Sequence, residues 1–191
     1  MKIRKIISYL LAIIFVILIS ATILLSMVNA VVFSKSNLKK QLDKVDYYTQ
    51  INTIIKETSN NYIMQSGFDE SIMDNVVEKE KINEDINNVI DSIYNNEELT
   101  ISTEQIKTNL NKNIEEYIQK NNYKVDNKTQ KDIEKFEDKI EDIYANNITY
   151  SKSTIKKVAK YFKMAKRMTR VALVAVSILA IIFAIIIYKV N

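Results

Sequence analysis

Residues 6–34 read IISYLLAIIFVILISATILLSMVNAVVFS and residues 171–188 read VALVAVSILAIIFAIIIY, uncharged runs of 29 and 18 positions at the two ends of a 191-residue chain. An α-helix rises about 1.5 Å per residue, so the first run exceeds the ~30 Å hydrocarbon core of a bilayer and the second comes close to it. Polar interruptions are mild: Ser8, Ser20, Thr22, Ser26 and Asn29 in the first run, Ser177 in the second. Charged side chains are missing at mid-membrane depth, which argues against a proton relay or an ion pathway. Tyr9 and Tyr188 fall near the same face of the bilayer in a two-pass arrangement, as interfacial aromatics do. The first run competes with a cleaved signal peptide, because Met1 to Lys5 forms a basic leader and Val28-Asn29-Ala30 satisfies a small-x-small cleavage rule. Its apolar stretch of about 22 residues is longer than the 7–15 of a signal sequence, which favours an uncleaved anchor.

Composition narrows the rest. The chain carries one Gly and no Pro, His, Cys or Trp, where average usage would give roughly 13 Gly and 10 Pro. Turn-rich β architectures, which place Gly and Pro at their hairpins, are excluded by this shortage. A Walker loop or a dinucleotide fingerprint needs several glycines. Zinc sites, haem attachment, thiol nucleophiles, disulfides and a His general base lack their residues, so no catalytic, cofactor or metal site is expected.

The region between the runs shows apolar residues three or four apart. Leu38, Leu42, Val45, Tyr48, Ile51, Ile55 and Tyr62 form one stripe, which Ser66-Gly67 ends through a left-handed glycine. Asp69 can cap a short segment holding Ile72, Met73, Val76 and Val77. Ile82, Ile86, Val89 and Ile93 form a second stripe that ends at Asn95-Asn96. Ser102 with Gln105 fits a capping box for a third, with Ile106, Leu110, Ile114 and Tyr117, closed by Asn121-Asn122. Ile133, Phe136, Ile140 and Ile143 make a fourth, with Asn146-Asn147 as an interruption. Asn takes the turn positions because it tolerates the left-handed region. Narrow stripes require neighbours, so the expected fold is all-α: two transmembrane helices flanking a four-to-five-helix soluble bundle. In residue terms this gives a basic tail 1–5, a first span 6–34, a bundle 35–150, a basic juxtamembrane amphipathic helix 151–170, a second span 171–188 and a tail 189–191.

Charge is unevenly placed. Net charge is +2 over residues 35–68, −8 over 69–98, −2 over 99–145 and +8 over 146–170. The last block has no acidic residue, and its Lys152, Lys156, Lys157, Lys160, Lys163, Lys166, Arg167 and Arg170 spread round a helix whose apolar side is expected to carry Ile155, Val158, Ala159, Phe162 and Ala165 or Met168. Beside a bilayer each base gains on the order of 1 kcal/mol from anionic lipid. These eight residues are the candidate contact with anionic lipid or, outside the cell, an anionic wall polymer; no nucleic-acid motif accompanies them. The acidic block, from Asp69 to Glu98, could meet a cation, a basic partner or the basic helix, but its carboxylates from Asp69 to Asp91 lack the loop of a calcium hand and it reads as a solvated face. Two Ser-x-x-Lys matches, Ser36 with Lys39 and Ser153 with Lys156, occur without companion motifs. The sequons at Asn127 and Asn147 matter only in a eukaryotic secretory route.

Tyr47-Tyr48, then YIMQSGFDESI at residues 62–72 and INEDI at 82–86, resemble a pattern in small two-span membrane proteins of low-GC Gram-positive bacteria, a likeness that covers both spans and implies no activity. The span, helices, span layout also looks like the input half of chemoreceptors and sensor kinases. The expected function is a non-catalytic, membrane-anchored helical interaction or structural module. Its alternative is a sensory or ligand-binding accessory subunit that signals laterally to a partner membrane protein. Basic residues near the membrane ends favour a cytoplasmic middle, but long loops cross largely regardless of charge. Both termini are therefore expected inside and the middle outside.

Overall fold

The apolar stripes of the middle region fall on helical segments, and so does most of each uncharged run. The computed structural model describes residues 2–95, 97–149 and 151–190, without the side chains of 2–4 and 190. It holds seven α-helices and a single 3₁₀ turn, with no strand among the described residues. The helices are α1 (Lys2–Val31), α2 (Lys35–Lys44), α3 (Tyr47–Ser66), α4 (Lys79–Asn95), α5 (Glu104–Lys120), α6 (Asn127–Ile148) and α7 (Lys152–Val190); the 3₁₀ turn is Glu70–Met73. The chain divides into two compact units, Met1–Lys40 with Lys160–Asn191, and Gln41–Ala159.

The first unit contains the two long apolar helices. At about 1.5 Å per residue, 30-residue α1 and the apolar part of α7 are each long enough to cross a membrane. Their apolar side chains face outward: Val16 and Ile17 of α1 are 62% and 61% exposed, and Ile181 of α7 61%. The hydroxyls within the runs are satisfied inside their own helices, Thr22 Oγ1 donating to the Leu18 carbonyl at 2.9 Å and Ser177 Oγ to Leu173 at 2.7 Å. α1 ends at Val31, earlier than the uncharged run. Val32 and Phe33 form a turn, Ser34 Oγ accepts from the Asn37 amide at the start of α2, and the Phe33 ring meets Phe162 edge to face at 5.2 Å.

The second unit is a helical bundle. α3 packs on α6, α4 and the 3₁₀ turn, while α5 packs on the 3₁₀ turn and α6. The stripe expected from Leu38 to Tyr62 is not one helix. Asp46 takes a left-handed conformation (φ 49°) that separates α2 from α3, α2 buries no residue, and Val45 is exposed. The buried line begins at Tyr48 and continues through Ile51, Ile55, Ser59 and Ile63. Gly67 ends α3 at φ 79°, and Asp69 caps the 3₁₀ turn, its Oδ1 accepting from the Ser71 amide at 2.9 Å. Ile72, Met73, Val76 and Val77 are all buried.

α5 holds that short segment in place. Asn113 Nδ2 donates to the carbonyls of Ile72 and Asp74, both at 2.8 Å, and Asn109 Nδ2 to Asn75 at 3.2 Å. Backbone groups with no helical ladder of their own thereby find partners. Phe68, Tyr117, Phe136 and Tyr62 close one end, with ring centroids 4.8 Å apart for Phe68 and Phe136 and 5.6 Å for the stacked Tyr62 and Phe136.

Two expected helix boundaries are different. The capping box at Ser102 does not form, because Thr103 occupies the cap position and turns its hydroxyl to the Glu141 carboxylate of α6. α6 runs through Asn146 and Asn147 to Ile148, since Asn147 Nδ2 bonds back to the Ile143 carbonyl within the helix. Asp126 caps its start, accepting from the amides of Lys128 and Thr129 at 3.0 and 2.7 Å. Asn95 ends α4 as expected; Asn96, its partner in the expected turn, and the terminal Met1 and Asn191 of the expected tails lie outside the described residues.

Candidate functional site

All eight candidate bases lie on α7. Lys152, Lys156 and Lys157 belong to the bundle unit and are exposed; in the other unit Lys160, Lys163, Arg167 and Arg170 are exposed and Lys166 half-buried. None of the eight forms an ion pair with a carboxylate among the described residues. A helix with no acidic residue offers them no intrahelical partner.

The inner line of this helix differs from the expected one. Ile155 is half-buried, Ala159 is 3% exposed and Phe162 is half-buried, whereas Val158 is 42% exposed and Met168 64%. At 3.6 residues per turn Met168 sits about 140° round the helix from Ile155. It joins Tyr161 and Met164, 63% and 52% exposed, on the outer side.

Sequence reading treated Asp85 as part of a solvated acidic face, but it is 1% exposed. Its Oδ1 accepts from Lys81 Nζ at 2.8 Å and its Oδ2 from Tyr144 Oη at 2.6 Å. Tyr144 is fully buried, and its burial together with the bond to Asp85 pushes the phenol far above its ordinary value, so it stays a proton donor. The network joins α4 to α6 through charged hydrogen bonds inside the core. A second buried acid, Glu137 of α6, is raised by burial, against the opposing effect of nearby Lys107. Lys107 itself pairs with Glu141 at 3.3 Å and Asp138 at 3.6 Å. Spacing held the signal for both acids: Asp85 lies between Ile82 and Ile86, and Glu137 between Phe136 and Ile140, inside the apolar sectors of their helices.

Within the bundle unit a cavity of about 490 Å³ lies at the end of α4 and the start of α7. Leu99, Ile155 and Ala159 line it together with two acids, Glu97 and Glu98, and two bases, Lys152 and Lys156. Sequence reading singled out the two lysines but not the cavity, since the loop after α4 and the start of α7 are distant in sequence. A wider cleft of about 520 Å³ lies over Lys81, Glu84 and the start of α5. The geometry therefore defines an all-helical protein with two helices long and apolar enough to span a bilayer. Comparison with family models, with curated proteins and with solved structures finds no match to this chain.

Proposed function

We propose that the protein is a non-catalytic, membrane-anchored interaction module. In this reading α1 and the apolar part of α7 span the cell membrane, both termini are cytoplasmic, and the Gln41–Ala159 bundle stands outside. The observation that carries it is the outward-facing apolar surface of these two helices, whose most apolar windows bury no residue. Contiguous exposed apolar surface of this extent marks a surface that lipid or another apolar partner covers. The unpaired bases from Lys152 to Arg170 support the same reading, because a basic helix leading into a span gains from anionic lipid headgroups or an anionic wall polymer. The exposed bundle surface is then free to meet a partner membrane protein.

Because the native chain has no Cys, a Ser102→Cys variant carries the only thiol, at an exposed position. Membranes washed with alkaline carbonate should retain the chain, and an impermeant maleimide should label it in intact cells. Release by carbonate would overturn the spans, and labelling only after lysis would overturn the orientation.

A further inference from the structure

We propose that the cavity at the end of α4 binds a small zwitterion with an apolar body, of the size of an apolar amino acid or a peptide of two or three residues. Its volume, about 490 Å³, falls within the roughly 300–1,000 Å³ of small-molecule sites. Its apolar lining is largely buried: Leu99 is 7% exposed, Ala159 3%, and Ile155 half-buried. Ser92, 2% exposed, also lines the cavity; its hydroxyl donates to the Val89 carbonyl and keeps acceptor capacity. An aliphatic body fits this lining better than a polar one.

The rim determines the charge of the occupant. Glu97 and Glu98 follow the C-terminal end of α4, while Lys152 and Lys156 are one turn apart at the N-terminal end of α7. All four line the same cavity, yet among the described residues no ion pair joins either glutamate to either lysine. Helix polarity acts in the same sense as these charges, since the α4 end carries partial negative charge and the α7 end partial positive charge. A molecule with an ammonium and a carboxylate satisfies both pairs at once. A simple anion meets the glutamates unfavourably, and a simple cation meets the lysines. The inference does not depend on how the chain sits in a membrane.

The test uses the full chain in detergent micelles, titrated calorimetrically with leucine, with the dipeptide Leu-Leu, and with N-acetyl-Leu-Leu and Leu-Leu-amide, each of which lacks one end charge. Leucine or Leu-Leu should bind saturably, and each capped form should bind about tenfold more weakly or worse, the worth of one charged hydrogen bond. Lys156→Gln should weaken Leu-Leu binding more than that of Leu-Leu-amide, and Glu98→Gln more than that of N-acetyl-Leu-Leu. Ala159→Trp, which fills the cavity, should abolish binding. If Ala159→Trp loses its helical circular dichroism, the two rim variants decide, because both residues are exposed. Absence of saturable binding by leucine and Leu-Leu, equal binding of the capped forms, or rim variants indistinguishable from the parent would overturn the proposal. Carbonate extraction reads the membrane reading separately, so either can fail alone.

Discussion

Asp85 is the side chain whose removal should cost the bundle most for its size. Asp85→Ala takes away both acceptors of a carboxylate that is 1% exposed and engaged by Lys81 and Tyr144. The Tyr144 hydroxyl, fully buried, is then left without its acceptor, a cost of about 1–3 kcal/mol. Lys81, with its side chain 11% exposed, can swing its ammonium toward water along a flexible stem, so its share is smaller. Together with the void left by the carboxylate this gives about 3 kcal/mol, the lower end for breaking a buried charged pair. Tyr144→Phe removes one charged bond but leaves Lys81 on the carboxylate, for about 2 kcal/mol. The double variant should cost about 1 kcal/mol less than the sum of the two, because neither leaves the other's partner stranded.

A thiol placed in the core reports this directly. Ser59 of α3 is fully buried and its hydroxyl has no partner, so Ser59→Cys fits as a small apolar side chain in a chain that has no other thiol. Labelling of that thiol requires the bundle to open, and its rate follows the opening equilibrium. At 1.4 kcal/mol per decade, Asp85→Ala should speed labelling about 150-fold and Tyr144→Phe about 30-fold. An acceleration below about fivefold for Asp85→Ala, or strict additivity of the two changes, would refute the assignment of the network as a stabilising link between α4 and α6.

Further outcomes follow from other parts of the bundle. Burial raises the Glu137 carboxyl above its ordinary value, so its protonated form favours the folded state, and this contribution is lost as pH rises through the folded value. Glu137→Gln should therefore be more resistant to urea than the parent near neutral pH, and the difference should vanish toward pH ~4. Asp126 behaves in the opposite sense. The bonds from Thr129 and Lys128 hold its carboxyl below the usual range, so its stabilisation is present above the unfolded value and disappears as pH falls through the folded one. Asp126→Asn, which keeps an acceptor but does not titrate, should flatten the acid limb of the unfolding curve. Gly67→Ala meets no atom within 4 Å but forces a side chain into the left-handed region, at a cost of about 1 kcal/mol that lowers the urea midpoint. Gly67→Asn should recover most of it. Asn113→Ala removes two bonds that hold the segment after Gly67 and should cost about 2 kcal/mol, seen as faster proteolytic cleavage between residues 70 and 77.

What was legible in the sequence followed from periodicity and from capping chemistry. Gly67 and Asp69 stand where a helix end and a new cap were expected, and the lines Ile106, Leu110, Ile114 and Ile133, Phe136, Ile140 are buried. The break at Asp46 was hidden, because the apolar spacing from Leu42 through Val45 to Tyr48 continues across it and a left-handed Asp leaves no compositional mark. Tertiary bonds overruled local signals elsewhere, as when the Thr103 hydroxyl turned to Glu141 instead of closing a capping box. The cavity was beyond sequence reading for a similar reason. Its glutamates and lysines are more than fifty residues apart, and only the fold brings them to one cavity.

Among the described residues Asp46, Gly67, Asn75 and Asn122 turn the chain in the left-handed region, and the sequence holds no proline. An unfolded chain without X-Pro bonds has no slowly interconverting isomers to sort on its way back to the native state. Refolding of the bundle should therefore lack the phase of tens to hundreds of seconds that prolyl isomerisation imposes on most domains of this size. Its pace is set by the docking of neighbouring helices.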